Sequence, residues 1–208
     1  MNARGLDPTA DPEFERLAGW AGILTAIAGA GYAVAFVVLK SAALSALFLL
    51  IAPFASTLVL AALYGRLGSV DAGLARWMFA IGLVGAIGGS VHGGYDLANV
   101  LHPPATMSDL PNAIDPRGLL TFGAAGVAAL ALARLMARSR EFPTWTSVAA
   151  FALGSVLIAT YLARLIVPDA SSPLVLGPAL IAGILSPLFY LGLGLWFLRG
   201  PTRTGLPP

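Results

Sequence analysis

The stretch LARWMFAIGLVGAIGGSVHGGYDLANV, Leu74 to Val100, decides the fold. It opens on Arg76-Trp77 and then runs through apolar and small residues. Its remaining ionisable side chains gather near the far end, at His92, Tyr95 and Asp96. A hydrocarbon core of about 30 Å takes roughly 20 apolar residues of helix, so this stretch reads as a membrane span with a polar outer end.

Five further segments have the same character, at about 17–39, 42–64, 117–137, 144–167 and 174–198. Of the 208 residues 58% are hydrophobic and 11% charged, against about 25% charged in a typical soluble domain. No soluble fold of this size has the interior to hide so much apolar surface, and the mean hydropathy is +0.84. The segments lack the alternating polarity of a membrane β-barrel. Helices satisfy their backbone groups internally, as lipid demands. The expectation is an all-α, six-transmembrane-helix bundle over 17–198, with an N-terminal segment at 1–16 and a tail at 199–208.

Local signals mark several boundaries. The opening MNARGLDPTADPEFER is polar and holds four acidic residues. It lacks the basic start and apolar core of a secretory signal, so the first span is expected to stay in the membrane. Asp11-Pro12 and Asp115-Pro116 each place a capping residue before a first-turn proline. Lys40-Ser41 leaves room only for a tight antiparallel hairpin. HPPATMSDLPNAIDP, residues 102–116, reads as a stiff surface loop.

Orientation follows from the basic residues. Arg4, Arg16, Arg66, Arg76, Arg134, Arg138, Arg140, Arg199 and Arg203 fall on the side of the N-terminus, whereas Lys40, Arg117 and Arg164 fall opposite. The positive-inside rule then predicts both termini in the cytoplasm, in a plasma or inner membrane. Trp20, Trp77, Trp145 and Trp196 lie near the cytoplasmic ends of their spans, as an interfacial aromatic belt would. Arg134, Arg138 and Arg140 form a small basic cluster suited to anionic lipid.

On the third span, His92, Asp96 and Asn99 share a face within about 60° at 100° per residue. Gly85, Gly89 and Gly93 make small-xxx-small steps that admit a neighbouring backbone. His92 lies about 22 Å along the helix from Trp77. The stripe is therefore expected near the outer side, facing protein or water, because a lipid-facing carboxylate at depth costs roughly 2.5–3.5 kcal/mol. Asp96 needs a partner, and the sequence offers His92 at i−4 or Arg164 on the fifth span, with Tyr161 one turn from Arg164. A pocket of His92, Tyr95, Asp96, Asn99, Tyr161 and Arg164 is the candidate ligand or ion site. Three uses of this stripe stay open: a clasp fixing helix register, a small-molecule or ion pocket, and catalysis.

A zinc site from His92, Asp96 and His102 has suitable donor types. About 15 Å of helix separates the two histidines, so no metal site is assigned. Pro53 and Pro187 sit mid-span and free the carbonyls of Leu49 and Gly183, with Ser56, Thr57 and Ser186 at hand to satisfy them. The chain has no cysteine, no phosphate-binding glycine loop with lysine, no His-Glu-x-x-His and no Gly-x-Ser-x-Gly. These readings converge on a non-enzymatic multi-pass membrane protein without a cofactor. It would bind or transport a small molecule or ion, and its partners would be the bilayer and not nucleic acid. The alternative is a structural subunit of a larger membrane complex, or a homo-oligomer, in which the His92/Asp96 stripe is a packing clasp.

Overall fold

The computed structural model describes residues 12–103, 119–167, 169 and 172–199. Among these the regular structure is all helical: α1 (Pro12–Ala33), α2 (Ala42–Leu67), α3 (Ala72–Leu101), α4 (Ala125–Arg138), α5 (Thr144–Ile166) and α6 (Pro173–Arg199). Two π-helical turns, Val34–Val38 after α1 and Leu119–Ala124 before α4, extend their helices. Six helices are long and apolar enough to cross a membrane. The chain is a multi-pass helical bundle made for a lipid surrounding.

Helix ends depart from the sequence expectation where a local cap or a partner extends them. Pro12 opens α1 five residues before the expected span, in the first turn where its missing N–H costs nothing. Asp71 caps α3, its Oδ1 accepting from the Leu74 N–H at 3.0 Å, so that helix starts at Ala72. The α1–α2 hairpin turns on Lys40, whose φ of 49° is left-handed. Ser41 then caps α2 by accepting from Leu44 N–H at 3.4 Å. Asp11, Asp115-Pro116 and the body of the proline-rich loop lie outside the described residues.

Each helix packs on the next in order, and α6 closes on α1, so the bundle is a ring. Glycines set three of its closest approaches. Gly89 lies on the Pro53 ring and Gly93 on the backbone of Leu49 and Leu50, bringing α3 onto α2. A Cβ on Gly154 would come within 2.8 Å of the Gly126 carbonyl, where α5 meets α4. One on Gly194 would come within 2.7 Å of the Gly19 carbonyl, where α6 meets α1. Between helices in lipid no hydrophobic transfer drives association, so close small-residue contacts of this kind carry the packing.

The two ends of the ring differ. At the proximal end, where α1 begins and α6 finishes, lies one continuous core with Leu63, Leu67, Met78, Leu135, Met136 and Leu193 fully buried. Toward the distal end the buried apolar positions are mostly small, such as Ala35, Ala46 and Ala182, while Val38, Leu39, Leu101, Ile166 and Leu174 are exposed.

Candidate functional site

Distally, α3 sets His92 and Asp96 one turn apart on one face, and their Nε2 and Oδ2 atoms lie 3.3 Å from each other. The imidazole is 19% exposed and the carboxylate 39%. The pair lies within one helix and by itself adds nothing to the register between helices. Tyr32 of α1 stands close enough to Asp96 to feel its charge. α1 and α3 both pack on α2, and Tyr32 reaches the stripe from the α1 side.

The other expected site residues are distributed more widely. Asn99 is half-buried on α3, and Tyr95 is 38% exposed. Tyr161 and Arg164 are half-buried near the distal end of α5. That helix packs on α4 and α6 and does not run along α3; the π-helical turn at Leu119–Ala124 touches both. His102 sits at the C-cap of α3, its N–H donating to Ala98 O at 2.8 Å. Among the described residues no three His, Asp or Glu side chains gather as metal ligands.

Below the stripe, toward mid-bundle, the Pro53 turn of α2 is served by an unexpected partner. Ser56 and Thr57 hydroxyls donate to the carbonyls of Pro53 and Phe54, at 2.7 Å each, within their own helix turn. It is Ser90 of α3 whose hydroxyl donates to Leu50 O at 3.3 Å beside the carbonyl that Pro53 frees. Thr25 of α1 donates to Ala21 O at 2.8 Å and reaches Ala52 O of α2 at 3.4 Å. The Tyr190 hydroxyl of α6 lies near Ser56. Polar groups from α1, α2, α3 and α6 thus occupy the ring from its middle to the distal site.

At the proximal end lies a second cluster, absent from the sequence expectation. Arg66 donates through Nε and Nη2 to both oxygens of Glu15, at 2.5 and 2.6 Å. Its Nη1 donates to Glu141 Oε2 at 3.2 Å. The guanidinium lies 5.6 Å from the centroid of the Trp196 ring, which stacks on Phe142 at 4.3 Å. The Arg66 and Glu15 side chains are only 11% and 10% exposed, against 47% for Glu141. Trp20, Trp77 and Trp145 do face outward, but Trp196 is turned inward by these contacts rather than anchoring the interface. Nearby, Arg138 donates to Asp71 Oδ2 at 2.9 Å. The Leu74 N–H, and after it Arg138, hold the Asp71 carboxyl below the ordinary carboxylate range.

Glu15, Glu141 and Tyr32 are among the residues of these clusters that the sequence does not single out. Glu15 reads locally as a first-turn acid favoured by the helix dipole, and Tyr32 as one aromatic in an apolar span. No protein-family model matches the chain, and no curated protein or solved structure is significantly similar to it.

Proposed function

We propose that the chain is a non-enzymatic protein of a cytoplasmic-type membrane that binds a small polar or ionic solute at its outer, distal end. His92 and Asp96 form the heart of this site. Tyr95 and Asn99 of α3, Tyr161 and Arg164 of α5 and, newly, Tyr32 of α1 are its walls. The carrying observation is the partly exposed His92–Asp96 pair at 3.3 Å within a span, since an ionisable pair there is costly and is retained where it meets water, a ligand or a charge. The orientation is supported by charge: among the described residues Arg16, Arg66, Arg76, Arg134, Arg138, Arg140 and Arg199 lie at the proximal end, against Lys40 and Arg164 at the distal end. Both termini are then cytoplasmic.

The test is a thermal-shift screen of small amines, carboxylates and alkali-metal salts on purified protein and on Asp96→Asn. A compound that stabilises the parent and not the variant supports the site. If no compound does so and Asp96→Asn simply melts earlier, the stripe is a clasp. A second reading, an accessory subunit, is favoured by α6, the least buried of the six spans, where Gly177 and Gly183 have open space above them. Sizing in mild detergent decides it: a co-purifying membrane protein at fixed stoichiometry supports the subunit, and a chain that travels alone opposes it.

A further inference from the structure

We propose that the Arg66 cluster is a gate: an ion lock that closes the proximal mouth of the ring and whose release admits water from that side toward the distal site. The proposal rests on the distal site being a solute site and assigns that site a second route of access.

The lock joins the elements that would have to part. Glu15 comes from α1, Arg66 from α2, Glu141 from the α4–α5 connection, and Trp196 from α6. Behind it Leu63, Leu67, Met78, Leu135, Met136 and Leu193 make an apolar plug across the same end. The prolines sit where hinges would be needed. Pro53 divides the part of α2 that packs on Gly89 and Gly93 from the part that carries Arg66, and Pro187 divides α6 similarly from Trp196. Each proline removes one backbone hydrogen bond and so softens its helix at that point.

The chemistry suits a reversible closure. A sheltered carboxylate–guanidinium pair has lost its hydration, and most of what the contact contributes is returned when both ions are rehydrated. An all-apolar seal has no such compensation. Glu141, half in water, offers Arg66 a hydrated partner as Glu15 withdraws.

The chain has no cysteine, which permits a direct test. Ala62→Cys, buried behind the lock, is exposed to a membrane-impermeant maleimide from the proximal side of oriented proteoliposomes. The parent, Arg66→Gln and the milder rim variant Glu141→Gln are compared. Ala46→Cys, buried at the distal end, is the control. A several-fold rise in Ala62→Cys labelling in either lock variant, with Ala46→Cys unchanged, is the expected result. Unchanged labelling in both variants overturns the gate and leaves a structural clasp. Rises at both cysteines accompanied by loss of a cooperative thermal melt also overturn it, because the bundle has then come apart. None of these outcomes depends on solute binding at Asp96, so a failed ligand screen beside a positive labelling result would remove the site and not the gate.

Discussion

At the proximal end Arg66 is held by two carboxylates and an aromatic face, over large side chains with no exposed surface. At the distal end Gly93 presses on the backbone of α2, and the half-exposed Asp96 shares its turn with a histidine. The first arrangement spends charge on closing a tightly packed end. The second relies on backbone proximity and leaves its carboxylate partly exposed. The contrast teaches that polarity inside a membrane bundle has two uses, and that packing around it tells them apart. A guanidinium bonded through all three nitrogens, with a packed core beneath it, joins helices. An i,i+4 pair such as His92–Asp96 sets two ionisable groups on one face of a single helix.

The largest effect expected from this contrast is at Glu15. Glu15→Gln leaves a sheltered Arg66 short of its two-pronged partner and should cost about 3–5 kcal/mol, as broken buried ion pairs do. Thermal melting in detergent measures it. A loss below that of an exposed pair would mean that the proximal end is held by its apolar core alone. Next comes Gly93→Ala, whose Cβ would run into the Leu49–Leu50 backbone and should cost about 1–3 kcal/mol by overpacking. A neutral result there would show that α2 and α3 are free to separate distally.

Two gains should be smaller. Gly183→Ala meets no atom within 4 Å and should add about 0.5–1 kcal/mol of helix propensity. Lys40→Gly relieves a left-handed lysine worth roughly 1–2 kcal/mol but loses roughly 0.5–1 kcal/mol to unfolded-state entropy, a net gain of about 0–1.5 kcal/mol. The smallest effect belongs to Asp71. Its depressed carboxyl contributes stability above its unfolded value near 3.8, lost as pH falls through the lower folded value. Melting temperatures followed down to about pH 3 should therefore decline slightly more for the parent than for Asp71→Asn.

The six helices were legible because lipid imposes a length and a composition that no other environment does. The Leu74–Val100 stretch announces both, and its i,i+4 histidine and aspartate meet because a helix brings such positions together. What the sequence hid depends on which helices become neighbours. Trp196 carries the same local marks as Trp77, yet one faces outward and the other stacks on Phe142. Ser56 is adjacent to the proline kink in sequence, but a serine from another helix, Ser90, bonds to the carbonyl at Leu50. Glu15 and Arg66 are 51 positions apart, and no periodicity links them. The π-helical turns also escaped, since a local widening leaves the apolar pattern of its span unchanged.

The seam between α6 and α1 has a consequence for how the gene can be rearranged. Gly194 touches Gly19, so the start of the first helix and the finish of the last emerge side by side. A ring joined in that way has no privileged opening rod. A version begun at Thr144, with a flexible tether running from the old tail to the old head, would preserve every neighbour relation while sending α5 and α6 out of the ribosome ahead of the other four.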